Sequence, residues 1–206
     1  MAQKIYNNMS AETDTGQDGR SAMRPPAERH RGIRHLTAKL PLLAHFDDRL
    51  GINMKIVSAC LCGINCNYKG RSKPDKRVIG LVKSGKAIPI CPEQLGGLAT
   101  PRTPAEIRGG TGLDVLNGKA KVIDRNGRDV TQKFVNGAFE VLRIAKITGS
   151  TSAVLKARSP SCGFGRTYDG TFSGTSIDGD GVTAALLKRN GLKITTEEAY
   201  AQKAKR

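Results

Sequence analysis

The chain has 206 residues, with 34 Lys and Arg against 18 Asp and Glu, five Cys, no Trp and only 4% aromatic residues. That length suits one domain with an added segment, and a core so short of rings must be built from Val, Ile, Leu and Ala, as parallel strands prefer. No apolar run approaches the ~18–20 residues needed to cross a membrane, and the N-terminus lacks a charged-then-apolar signal pattern, so the expectation is a cytoplasmic protein whose cysteines are metal-binding or reactive thiols, not a disulfide framework.

Residues 1–53 read as an N-terminal extension. They are rich in Gln, Asn, Asp, Gly, Arg and Pro up to Leu36, and residues 1–35 are expected to be largely disordered. Leu40, Leu42, Leu43, Phe46 and Leu50 give the segment 36–50 the spacing of one short amphipathic helix. From Met54 onward the pattern alternates. A strand is expected at 55–60, then a Gly/Asn loop through Gly70, then a helix at about 74–84 ending at Gly85. A second strand at 87–91 runs into a Pro/Gly turn at 92–97. Residues 98–127 read as irregular, with a short hairpin around 119–123 turning at Asn126-Gly127. A long helix is expected over 131–147, a strand at 152–157, a Gly- and Asp-rich lid over 163–181, a helix at 182–190 with Asp180 as its cap, and a last strand at 192–196. The expected class is α/β: a Rossmann-like three-layer domain over 54–206 with a mostly parallel sheet, preceded by the extension.

Charge is unevenly spread. Residues 1–53 carry 8 Lys/Arg and 6 Asp/Glu, whereas residues 54–206 carry 26 and 12, a net +14. Such a domain attracts anions, and nucleic acid is one candidate partner. No aromatic-interleaved RNA-binding signature or helix-turn-helix accompanies it, so a solvated basic face or an anionic small substrate reads better.

The cysteines are placed for chemistry. Cys60, Cys91 and Cys162 each follow a short apolar run and precede a tight Gly- or Pro-rich turn. Strand ends in a parallel sheet share one edge, where ligands bind, so three thiols distant in sequence should converge there. Three converging thiolates make a metal or iron–sulfur site with one coordination position open. Cys62 and Cys66 read equally well as buried small apolar residues. A four-thiolate zinc ribbon would need two close pairs, and Cys91 and Cys162 are solitary, so structural zinc fits less well. All three histidines, His30, His35 and His45, lie in the extension. The domain therefore has no Ser-His-Asp or Cys-His catalysis and no His-bound zinc hydrolysis of its own. Glu93, two residues after Cys91, is a candidate general acid/base. Ser159 and Ser161 place two hydroxyls beside Cys162, and Lys156 and Arg158 stand ready to balance negative charge.

The segments SACLCGINCNYKG, CPEQLGGLATPRTPAEI, LKARSPSCGFGRTYDGTFSG and DGDGVTAALLKRNGLKI closely resemble the DUF523 family, which includes thiouracil-desulfurising enzymes. The resemblance covers essentially all of 54–206 and none of 1–53. It implies a [4Fe-4S] cluster held by Cys60, Cys91 and Cys162, with Glu93 as catalytic acid and Ser159 and Ser161 near the substrate. The implied reaction is non-redox carbon–sulfur cleavage of a 2-thiouracil-like pyrimidine, giving uracil and hydrogen sulfide, with a small thiolated nucleobase as partner. Cys62 departs from the family pattern, which usually has Leu there. Two readings from other classes stand beside this one: a metal-stabilised RNA-binding or tRNA-modification accessory protein, suggested by the basic domain, and a thiol redox sensor.

Overall fold

The computed structural model describes residues 54–203 of the chain. The expected disorder of 1–35 and the helix at 36–50 lie outside the described residues. Four strands form a parallel sheet: β1 (Lys55–Ser58), β2 (Ala87–Ile90), β5 (Ser152–Leu155) and β8 (Lys193–Thr196), in the order β2-β1-β5-β8. The register sets Ile56 beside Ile88 and Ala153, and Ala153 beside Ile194. β1 and β5 are the central strands, and Ile56, Val57, Ala153, Val154 and Leu155 are all buried. Buried on both faces, such strands read as unbroken apolar runs. Pro89 sits in β2, an edge strand, where its missing N–H costs no ladder bond on the open side.

Side-chain alternation splits the core into two layers. Ile56, Ala153 and Leu155 face α4 (Thr131–Ile147) and α5 (Val182–Arg189), meeting Phe134, Ala138, Val141, Leu186 and Leu187. Val57 and Val154 face the other way, against Val78 of α1 (Lys76–Lys83) and Tyr200 of α6 (Glu197–Lys203). This is the expected three-layer arrangement. Each large side chain so buried contributes about 1.5–3 kcal/mol. α1 starts where Asp75 accepts hydrogen bonds from the backbone N–H of Arg77 and Val78, at 2.9 and 3.3 Å.

The irregular stretch 98–127 holds more order than its sequence suggested. β3 (Ala105–Arg108) pairs antiparallel with β4 (Lys121–Asp124), and α3 (Gly112–Leu116) lies between them in sequence. The turn at Asn126-Gly127 closes the expected short hairpin between β4 and residues 128–130: Asp124 N–H donates to the Arg128 carbonyl and Val130 N–H to the Val122 carbonyl, each at 2.9 Å, and Ile123 bridges Asp129. In the Gly-rich stretch 163–181, β6 (Arg166–Tyr168) and β7 (Ser176–Asp178) form a small hairpin. Asp180 does not cap α5. Its carboxylate accepts from the Gly165 N–H at 2.7 Å and from Lys188 at 3.2 Å, and the cap position is Gly181. α6 was not expected. Short helices with charged first turns carry too little apolar periodicity to register.

One close approach sets the geometry of the site. α2 (Pro92–Leu95) packs on α4 through Gly96 and Gly137. A Cβ on Gly96 would stand 1.9 Å from the Lys133 carbonyl oxygen, and one on Gly137 1.9 Å from the Pro92 carbonyl oxygen. Only glycine at both positions lets the two backbones meet.

Candidate active site

The C-terminal ends of β1, β2 and β5 lie along one edge of the sheet, because all three run parallel. β1 ends at Ser58, two residues earlier than its apolar run suggested. Cys60 therefore sits in a 3-10 turn, Ala59–Cys62, that bends the chain over the sheet edge. Cys91 directly follows β2 and is the cap residue of α2. Cys162 lies in the loop after β5. Cys66, from the loop after the 3-10 turn, completes the group.

These thiols meet in pairs. The Cys66 side chain is in hydrogen-bonding reach of both Cys60 and Cys91. The Cys91 thiol also donates to the Cys66 carbonyl at 3.6 Å. Cys162 touches Ser58 and Ser161 and lies in the electrostatic field of Glu93 and Cys91. Cys62 turns aside, its Sγ 3.9 Å from the Ser58 carbonyl. Crowding and burial raise the thiols of Cys66, Cys91 and Cys162. The hydrogen bond with Cys60 is the main cause that pushes the Cys66 thiol up to about 11. Burial pushes Cys162 up to about 12. The hydrogen bond with Cys66, then burial, raises Cys91 further still. Several neighbouring thiolates can coexist only beside positive charge, which metal ions supply.

The donor set also bears on which metal group it fits. Among the described residues no three His, Cys, Asp or Glu side chains are grouped to hold a single metal ion. One tetrahedral zinc needs its sulfurs within roughly 4 Å of one another. A four-iron cluster is several ångströms across and takes thiolates set further apart. Three cysteines with one coordination position left open are the donor set that such a cluster takes.

Glu93 stands in the first turn of α2, fixed from behind by Pro92. Its Oε2 accepts from Arg102 Nε at 2.6 Å, and the Arg102 side chain is 6% exposed. Arg102 Nη2 donates to the Cys66 carbonyl at 3.0 Å, and Nη1 to the Ala99 carbonyl and Thr100 Oγ1, each at 3.2 Å. One guanidinium thus ties the candidate acid/base to the cysteine loop. Sequence reasoning missed Arg102. Its only signal was a cation held rigid between two prolines, Pro101 and Pro104, and its contact with Cys66 spans 36 residues. Beside this pair opens a cleft of about 480 Å³, lined by Glu93, Arg102, Leu98, Arg128, Lys133 and Phe134 among others.

The two serines have different surroundings. Ser161 is fully buried, and its Oγ bonds to Thr183 Oγ1 of α5 at 2.8 Å. Ser159 Oγ accepts from the backbone N–H groups of Ser161 and Cys162, at 3.2 and 3.1 Å. That leaves the Ser159 O–H proton free to donate. Lys156 and Arg158 are already paired. Lys156 Nζ lies 2.6 Å from Glu197 Oε1, and Arg158 makes a two-pronged contact with Glu198. Their charge is taken up by α6 and is not left over for the thiol site.

Residues 56–199 match the family described as 2-thiouracil desulfurase. The chain belongs to that family. A protein of Bacillus subtilis (strain 168), described as uncharacterized protein YbbK, is 51% identical over 144 residues, spanning 70% of this chain and 95% of its own. A solved structure of the [4Fe-4S]-dependent thiouracil desulfidase TudS superposes with a TM-score of 0.65 at 41% identity, covering 73% of this chain and 94% of its own. The resemblance read from the four motifs is thus confirmed at the level of family and fold. Among the described residues no helix is long and apolar enough to cross a membrane.

Proposed function

We propose that this chain is a [4Fe-4S]-dependent enzyme that removes sulfur from a thiolated pyrimidine of the 2-thiouracil kind. The observation that carries the reading is the match to a family described by this reaction, and it is supported by the parallel strands β1, β2 and β5, after whose C-terminal ends Cys60, Cys91 and Cys162 follow in the chain. These three cysteines would hold the cluster. When bound, it would supply an iron without a protein ligand, a Lewis acid with affinity for soft sulfur.

The chain's own groups supply the rest. The overall exchange is C=S plus water to C=O plus hydrogen sulfide, with no electrons gained or lost. Glu93 Oε takes a proton from the attacking water and returns it as the carbon–sulfur bond breaks. Arg102 holds that carboxylate in one direction through its 2.6 Å bond. Ser159 offers its free O–H to a ring carbonyl, whereas Ser161, engaged with Thr183, positions the Cys162 loop. The adjoining cleft is of small-molecule size and gives a flat base a path to Glu93.

Anaerobic reconstitution with iron and sulfide tests the reading. About four irons per chain together with uracil release from 2-thiouracil supports it. One tightly bound zinc, or bound iron with no turnover of any thiopyrimidine, sinks it.

A further inference from the structure

The ribbon of β3 and β4 has one face in the core and one outside it. Ile107 and Val122 stand opposite each other and are buried. The alternate residues Glu106, Arg108, Lys121 and Ile123 therefore point the other way. Arg108 and Lys121 are exposed and in register, two like charges directly opposite, which weakens a strand pair. Arg125, exposed just past β4, adds a third cation. The fold brings Phe172 to them from the Gly-rich stretch: its ring centroid is 5.8 Å from the Arg108 guanidinium carbon and 5.3 Å from that of Arg125. Phe172 is held there under strain. Its φ of 59° is left-handed, an outlier for a bulky residue. Its N–H donates to Glu106 Oε2 at 3.0 Å, and Arg108 Nε donates to the Gly170 carbonyl at 3.1 Å. A Cβ on Gly170 would stand 2.5 Å from the Ile107 carbonyl oxygen, so glycine lets this loop lie against β3. Lys121 pairs with Asp129 at 3.1 Å, whereas Arg108 and Arg125 have no carboxylate partner among the described residues.

We propose that Phe172 with Arg108 and Arg125 forms a contact surface for single-stranded RNA, in which the arginines take phosphates and a base stacks on the ring or on a guanidinium plane. A solvated basic face keeps its cations apart on mobile stems. Here two cations share one ring, and the backbone accepts strain to present it, as it does at ligand-binding sites. An inorganic anion would use the arginines and not the ring; a phosphate beside a base uses both. The net +14 of residues 54–206 supplies long-range attraction for such a polyanion. That the strand is RNA and not DNA rests on the function proposed above, because uracil is the RNA base; that it binds here rests on the geometry alone.

The full chain is titrated into an end-labelled oligouridylate of about 12 nucleotides, and fluorescence anisotropy is read at stepped potassium chloride. Affinity should fall with salt, each phosphate contact contributing about 0.7 to the slope of log affinity against log salt. Arg125→Ala should lower that slope by about 0.7, and Arg108→Ala with Arg125→Ala by about 1.4. Phe172→Leu should weaken binding roughly fivefold or more, for one lost stack, with the slope unchanged. Lys83→Ala with Lys86→Ala, exposed cations at the C-terminal end of α1, is the control and should leave the slope as it was. The proposal is overturned by absence of binding at low salt, by an arginine variant with the unaltered slope, or by a control that loses as much slope as the arginine pair. Equal affinity for the deoxy-oligonucleotide of the same length overturns the choice of RNA. If circular dichroism shows that the double arginine variant does not fold, Arg125→Ala decides. The assay reads binding without turnover, so a chain that binds no iron fails the cluster reading while this surface is still judged.

Discussion

Glu93 and Arg102 are nine residues apart in sequence, and the fold makes them one unit. Glu93→Gln keeps the shape and removes the proton acceptor. Iron content should stay full, and thiouracil turnover should fall by roughly 10²-fold or more. Near-normal turnover, followed anaerobically as loss of thiocarbonyl absorbance, would take Glu93 out of the mechanism. Arg102→Lys keeps a positive charge but cannot reach Glu93, the Cys66 carbonyl and the Ala99 carbonyl together. It should lower the melting temperature by the equivalent of about 1–3 kcal/mol for buried acceptors left unpaired, and slow turnover as Glu93 loses its direction. The serines separate in the same way. Ser161→Ala strands the Thr183 hydroxyl in the core and should cost stability, about 1–3 kcal/mol. Ser159→Ala should lower turnover more than it lowers the melting temperature. At this scale the placement of Cys91 and Glu93, directly after β2 and beside Pro92, was legible, because a strand end and a Pro-fixed turn mark it in the sequence. Arg102 was not, since its partners come from the helix α2, the turn at Ala99-Thr100 and the distant Cys66 loop. Nor was the difference between the serines, which depends on Thr183, 22 residues away.

At the scale of elements, the long helix and the four parallel strands were readable because their periodicity is strong: α4 runs over Thr131–Ile147, as its spacing indicated. β3 and α3 were not, because two prolines and scattered glycines mask strands and helices of four and five residues. The contact between α2 and α4 was visible only as Gly96-Gly97 and an unremarked glycine in a helix. Gly137→Ala tests its importance. The added methyl would meet the Pro92 carbonyl oxygen, forcing α2 away from α4 and moving Glu93 with it. Displacement on the order of 1 Å can cost about 10² in rate, so turnover should drop far more than iron content. α1 offers a pH-dependent case. Hydrogen bonding from the Arg77 side chain, with the backbone bonds of the cap, holds the Asp75 carboxyl below the usual carboxylate range. A lowered folded-state pKa means that the cap's contribution is complete above the unfolded value of about 3.9 and is lost as pH falls through the folded value. The protection of the Val78 N–H, which donates to Asp75, relative to its intrinsic exchange rate at each pH should therefore fall only in acid. Asp75→Asn keeps the cap but should flatten that dependence; an unchanged acid profile in the variant would assign the loosening to another group.

For the whole molecule, the division at Met54 is the widest claim made from sequence, and it has a direct test. Residues 1–53 contain none of the cysteines and none of the family motifs, and the matched span begins at Ile56. The relatives are covered over 94–95% of their own lengths by about 70% of this chain. In the described core the parallel sheet is covered on one face by α4 and α5 and on the other by α1 and α6, with every buried apolar residue of its four strands assigned to one of the two layers. The +14 charge also belongs to this part, so any attraction of an anionic substrate should survive without the extension. A fragment comprising residues 54–206 should therefore fold, bind iron in the same proportion, and turn over 2-thiouracil within about twofold of the full chain, since every group assigned to the proposed chemistry lies within it. The decisive measurement is a side-by-side reconstitution with iron counting and thermal melting. A fragment that melts well below the full chain, or that binds iron only when 1–53 is supplied, would show that the extension packs on the domain, with the apolar stretch 36–50 as the contact to probe first.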